Sequence, residues 1–210
     1  MKVQILCDNR NSWIIPYSVS LVEELSRRGF EASLIYDQNL VEKGDILVLL
    51  SCEHIFRKLD LNLYNLVIHE SALPSGKGWS PLTWQVLEGK DRIAVTLFEA
   101  SNNVDSGRIY DQVFIELDGT ELIEELRAKQ AKATSDLLLK FVSDYPKKNK
   151  GNEQKGRSSF YPRRKPEDSR LDTEKTISEQ FNLLRVSDNE RYPAYFVRNG
   201  VKYILKIYKA

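Results

Sequence analysis

Four short, nearly continuous apolar runs constrain this chain more than any other feature. They are "VQILC" at 3–7, "EASLIYD" at 31–37, "DILVLLS" at 45–51 and "YNLVIH" at 64–69. Runs of that length with little alternation suit strands buried on both faces, the condition of a parallel sheet covered by helices. Between the first two lies "PYSVSLVEELSRRGF", in which Tyr17, Leu21 and Leu25 keep helical spacing. Pro16 suits a first helical turn and Gly29 suits the stop. The order strand, helix, strand predicts an α/β chain with a mostly parallel sheet flanked by helices.

Further along, "SPLTWQVLEG" reads as a short helix, with Ser80 as cap, Pro81 at its first position and Gly89 past its end. "RIAVTLFEA" and "GRIYDQVFIEL" read as two more strands joined through "SNNVDSG". A long helix is expected from Thr120, with a stripe of Ile123, Leu126, Ala133, Leu137 and Phe141 in which Gln130 is the polar member. Residues 1–144 are therefore read as one catalytic-sized domain. From Tyr145 the apolar period stops, and Lys147, Lys148, Lys150, Lys155 and Arg157 face only Glu153, so 145–159 reads as a solvated basic linker. Residues 160–210 form a small appendage: "FYPRRKPEDSRLD", a helix carrying Ile177, Phe181 and Leu184, and a hairpin turning at Asn199-Gly200.

The formal net charge of +1 offers no broad field for nucleic acid. No apolar stretch approaches the roughly 18 residues of a membrane helix, and "MKVQILCDNRNSW" reads as a first strand rather than a leader. Cys7 and Cys52 sit in strand-like contexts and are read as reduced thiols of a cytoplasmic protein. Cys52 with His54 is too sparse for zinc, and "GKG" at 76–78 fits neither phosphate-binding glycine fingerprint.

Ligands of open parallel sheets collect beyond the carboxyl ends of strands. His69, Asn9 and Ser51 all fall there. The loop after His69, "ESALPSGKGWSP", alternates stiff and permissive residues, so backbone amides can approach a ligand. Asp105, in the "NNVDSG" turn, could hold an imidazole in one tautomer. A histidine at a strand end is more often structural, and residue type alone leaves both readings open.

The run from Leu66 to Gln112 resembles the formyltransferases that use 10-formyltetrahydrofolate. The resemblance rests on His69, Ser71, Leu73-Pro74, Gly78, Pro81, Gly89, Val95-Thr96 and Asp105-Ser106-Gly107. It covers about residues 45 to 115 well, and "YPRRKPEDSRLD" with "YPAYF" resembles the tails of the sugar and methionyl-tRNA members. The resemblance implies a Rossmann-like formyltransferase fold, with 10-formyltetrahydrofolate as donor and no metal. His69 and Asp105 become the catalytic pair, acting as a tetrahedral intermediate forms on the formyl carbon. Ser51, Ser71, Leu73, Pro74 and Gly107 are expected to hold the folate. The family's Asn two places before the histidine is absent: Val67 stands there, and Asn65 lies too far back along the strand. A backbone amide, protonated His69 or Asn9 is left to stabilise the oxyanion.

The motif variant looks most like sugar N-formyltransferases, and most specifically those acting on a UDP-linked 4-amino-4,6-dideoxy sugar of the pseudaminic acid pathway. The partner implied is a nucleotide-linked amino sugar for surface glycan biosynthesis, with neither nucleic acid nor membrane involved and a homodimer as a possible assembly. The tail after Phe160 reads as short for the barrel of the tRNA enzymes. Asn9, Trp13, Lys77, Trp79, Tyr161, Arg163 and Arg164 are the expected substrate-binding residues, the tail supplying a ring for the base and guanidinium groups for a diphosphate, whereas Trp84, on the short helix, is read as core. A formyltetrahydrofolate hydrolase and a non-catalytic chain of the same fold are the alternatives.

Overall fold

The computed structural model describes residues 1–144 and 150–210. In chain order the elements are β1 (Lys2–Leu6), α1 (Ile15–Arg27), β2 (Glu31–Ile35), β3 (Gly44–Leu49), β4 (Asn62–His69), β5 (Lys77–Gly78), α2 (Pro81–Leu87), β6 (Arg92–Glu99) and β7 (Ile109–Glu116). They continue with α3 (Ile123–Asp144), β8 (Phe160–Tyr161), α4 (Phe181–Arg185), β9 (Ala194–Arg198) and β10 (Val201–Leu205). Six strands form the central sheet in the order β2-β1-β3-β4-β6-β7. The first four are parallel, as their apolar runs predict. β6 and β7 are antiparallel to their neighbours. The nine residues joining β6 to β7 are too few for the dozen or more that a parallel crossover takes.

Strand alternation sorts the side chains between two faces. Val3, Ile5, Ile46, Val48, Leu66 and Ile68 enter the main core together with Leu21 and Leu25 of α1 and Leu126, Leu137 and Leu138 of α3. Leu6 and Leu47 instead join Val41 and Phe56 in a smaller cluster on the other face. The same alternation puts Val67 and His69 on the face of β4 opposite Leu66 and Ile68. The cysteines are free, Cys7 buried and Cys52 half-buried, and burial pushes the Cys52 thiol up to about 12.

Several local expectations are corrected. Ser80 precedes α2 in a left-handed conformation (φ 47°) and makes no side-chain cap. The long helix starts at Ile123 rather than Thr120, because Asp118 captures the Thr120 amide and hydroxyl in a turn at 2.8 and 2.7 Å. Around Ile177 the chain forms a 3-10 turn (Ser178–Gln180) before the five-residue α4, and Ile177 is exposed. The Asn199-Gly200 hairpin forms as expected, both residues at positive φ.

Of the expected linker, 145–149 lies outside the described residues. Residues 150–159 are mostly exposed, as a solvated segment would be, yet they are tied to the domain. Asn152 and Ile109 exchange two backbone hydrogen bonds at 2.8 and 2.7 Å. The Gln154 amide donates to the carbonyls of Asp105 and Gly107 at 3.0 and 2.9 Å. The segment ends in β8, which pairs in parallel with β5 in the loop after His69. Unmet backbone groups of that loop supply the driving force, and a sequence period cannot report such pairing.

Candidate functional site

A cavity of about 740 Å³ opens over the carboxyl ends of β1, β3 and β4, and His69 and Asp105 both line it. His69 is 7% exposed, and its Nε2 lies 2.8 Å from the Gly76 carbonyl oxygen. A carbonyl only accepts, so Nε2 carries a hydrogen, and in the neutral ring the lone pair is on Nδ1. Asp105 sits at φ 47° in the β6–β7 loop. Its Oδ2 accepts the Gly78 amide at 2.9 Å and stands 3.9 Å from His69 Nε2. The latter separation is too long for a hydrogen bond. Asp105 thus faces the imidazole as a charge, and the Gly76 carbonyl fixes the tautomer.

The loop between these groups is built from close backbone approaches. Ser71 returns its amide to the His69 carbonyl at 3.0 Å, and the Thr96 hydroxyl donates to the Ser71 carbonyl at 2.6 Å. Gly78 has φ 96°, and a Cβ there would stand 2.4 Å from the Tyr161 carbonyl oxygen. Gly78→Ala is therefore expected to unhook β8 from β5. Any ligand contact made by the tail should then weaken while the sheet stays folded, which titration calorimetry beside thermal melting will separate.

The expected folate residues divide. Ser51, at φ 52° and bonded by the Ser12 hydroxyl at 3.0 Å, lines the cavity. Ser71, Leu73 and Pro74 are buried behind it and shape the loop instead. Gly107 is half-buried and sits against the Glu99 backbone, also off the cavity wall.

The expected substrate residues divide as well. Asn9, Trp13, Trp79, Arg163 and Arg164 line the cavity. The Asn9 amide is already committed to Glu53 at 2.7 Å. Arg163 stacks its guanidinium 4.5 Å from the Trp79 ring centre and pairs with Glu53 at 3.1 Å. Arg164 is half-buried, and its Nε has no partner among the described residues. Burial lowers the pKa of that guanidinium, against the pull of Asp168.

Lys77 and Tyr161 are not on the wall. Lys77 is 7% exposed and donates to the Ser106 hydroxyl at 2.7 Å, tying the loop after His69 to the Asp105 loop. Tyr161 stacks on Trp84 with planes 11° apart and donates its hydroxyl to Glu88 at 2.9 Å. It is a clamp for the tail rather than a platform for a base. Trp84, expected in the core, is half-buried and donates to the Pro162 carbonyl at 2.9 Å for the same purpose.

Sequence reasoning missed Glu70, Arg127 and Arg191 on the cavity wall. Arg127 pairs with Asp188 at 2.7 Å from a region read only as appendage. Glu70 was hidden inside the loop, and the one available signal was Gln130, whose amide lies near enough to favour the Glu70 carboxylate.

Sheet order, cavity and the histidine–aspartate approach together define a class of α/β proteins with a mixed sheet and a site beyond its carboxyl edge. Within that class the chain belongs to the formyl transferase family, whose description matches residues 10–142. It is 29% identical over 165 residues to methionyl-tRNA formyltransferase of Bacillus velezensis, covering 75% of this chain and 51% of that relative. The chain thus spans about half the length of this curated relative, and 20% and 41% of two others it matches. Among solved structures it resembles HypX of Aquifex aeolicus in complex with tetrahydrofolic acid (TM-score 0.83, 20% identity, 99% of this chain and 37% of that one). It also resembles a sugar N-formyltransferase from a Shewanella species (TM-score 0.72, 17% identity, 99% and 97%).

Proposed function

We propose that the chain transfers a formyl group from 10-formyltetrahydrofolate to the amine of a nucleotide-linked amino sugar, a UDP-linked 4-amino-4,6-dideoxy sugar being the specific candidate. The observation that carries this reading is the cavity itself. One part of it presents His69 and Asp105, and another presents Arg163 and Arg164 beside Trp79. Imidazole with carboxylate suits proton movement around a tetrahedral intermediate. Guanidinium groups beside an aromatic ring suit a diphosphate and a sugar or base. The Nδ1 lone pair of His69 takes up a proton as the intermediate forms and returns it to the departing folate nitrogen, and Asp105 stabilises the imidazolium between the two events.

The curated relatives favour a second acceptor, the amine of methionyl-tRNA. Incubating the protein with 10-formyltetrahydrofolate and each acceptor, followed by mass spectrometry, separates the readings by which amine gains one formyl group. Loss of formyl donor with no formylated amine would identify a hydrolase. Arg164→Ala is expected to weaken nucleotide-sugar binding by about 1.5–3 kcal/mol, the worth of a charge-assisted hydrogen bond. Tetrahydrofolate binding should hold within about threefold, and calorimetric titration of each ligand checks both.

A further inference from the structure

We propose that Glu70 is a catalytic residue that accepts the proton of the incoming ammonium group, so that the acceptor amine attacks as a neutral nucleophile. The inference rests on formyl transfer to an amine as the reaction. An amine of a sugar or an aminoacyl group arrives largely as R-NH3+, which has no lone pair. In the proposed step R-NH3+ and the Glu70 carboxylate become R-NH2 and the Glu70 carboxylic acid. One N–H bond breaks, one O–H bond forms, and the freed electron pair then bonds to the formyl carbon.

Three observations single out Glu70. It immediately follows His69, is 9% exposed, and lines the same cavity. The other cavity carboxylates are engaged: Glu53 with Arg163, Asp188 with Arg127, and Asp105 with the Gly78 amide. No salt bridge to Glu70 is found among the described residues, and the uncharged amide of Gln130 on α3 lies near enough to its carboxyl to favour the carboxylate. The site around it is also braced. Gln85 of α2 donates to the Glu70 backbone carbonyl at 2.5 Å, which fixes the residue between two helices.

The charged surroundings are mixed. His69 of β4 favours the carboxylate and Asp105 of the β6–β7 loop opposes it, while Arg127, one turn before Gln130 on α3, is held by Asp188. Desolvation outweighs these influences and raises the pKa of Glu70 above the ordinary carboxyl range. A raised pKa makes the carboxylate a stronger base, as a group taking a proton near neutral pH needs.

Glu70→Gln keeps the shape and the backbone carbonyl that Gln85 binds, but cannot take a proton. With 10-formyltetrahydrofolate and whichever amine the wild type formylates, kcat/KM of Glu70→Gln at pH 7 is expected to fall about a hundredfold. The deficit should shrink toward alkaline pH, where free amine becomes abundant without a base. A purely structural role would give the same deficit at pH 6 and pH 9, and that result, or a loss below threefold at pH 7, would overturn the proposal. A wild type that formylates no amine would overturn the underlying reaction before the variant is assayed.

A second readout needs no substrate. A carboxyl whose folded pKa is raised contributes stability below its unfolded pKa, about 4.3, and loses it as pH rises through the folded value. Melting temperatures of Glu70→Gln and wild type should therefore diverge in favour of the variant from pH 4 to pH 8. A constant difference would mean that Glu70 titrates as an ordinary exposed acid, and the proposal would fall.

Discussion

His69→Ala is expected to lower formyl transfer by about 10²–10⁴-fold, the range that positioned proton-transfer groups contribute. Its Nε2 is tied to the Gly76 carbonyl and its Nδ1 carries the lone pair, so alanine removes the proton carrier and a support of the loop together. Asp105→Asn is the finer test. Asparagine can still accept the Gly78 amide through its carbonyl oxygen, which preserves the local hydrogen bond while deleting the charge 3.9 Å from the imidazole. If that charge stabilises the imidazolium, Asp105→Asn should lose about tenfold or more in kcat with little change in melting temperature. Steady-state rates at saturating donor and acceptor decide the matter, and wild-type rates for both variants would remove the pair from the chemistry.

Gly107→Ala should be the most damaging single methyl group in the chain. A Cβ at that position would stand 1.6 Å from the carbonyl oxygen of Glu99 and 2.6 Å from its carbonyl carbon. Both atoms are backbone of β6, and the next residue, Arg108, accepts the Glu99 amide at 2.9 Å through its own carbonyl. Neither neighbour can swing aside as a side chain would. The chain must part β6 from the start of β7, close to the register shift between Leu97 and Phe98. A cost of about 3 kcal/mol or more is expected, at the upper end of overpacking penalties. For a chain of this size that lowers the melting temperature by roughly 6–12 °C. Thermal unfolding followed by circular dichroism checks it, and an unchanged transition would show that the loop is far softer than its contacts imply.

Much of the fold was legible because burial leaves a mark on sequence. The apolar runs of β1, β3 and β4 have to be apolar on both sides, and the spacing of Tyr17, Leu21 and Leu25 serves one buried helix face. Strand direction leaves no such mark. An antiparallel strand and a parallel one look alike in "RIAVTLFEA", so the direction of β6 against β4 could not be read, although the short β6–β7 connection marks that pair as antiparallel. The site was legible where one residue type performs the chemistry, as with His69, and illegible where the role depends on what lies opposite. Tyr161 and Trp84 illustrate this. Each was assigned by type, to a ligand and to the core, and each is spent on the other. Lys77 was expected at the substrate because of its charge, whereas its hydrocarbon stem and ammonium are both used to join two loops. Gln130 stands out as a flaw in an apolar stripe, and its place on the cavity wall with Glu70 explains it.

The pairing of Phe160-Tyr161 with Lys77-Gly78 bears on the order in which this molecule assembles. The sheet pairs strands at most 43 residues apart, as Val3 with Ile46, whereas this two-residue ladder closes a loop of more than eighty residues. Loop-closure entropy grows only slowly with length, so the handicap lies in the size of the ladder: two residues repay little until the surfaces on either side are in place. The sheet therefore forms first and the cavity is completed afterwards, when the tail docks on a surface that already exists. Reversed, the same ordering lets the site open while the sheet persists, since a two-residue ladder can release without exposing the main core. Part of the cavity wall thus depends on a contact that the sheet itself does not need.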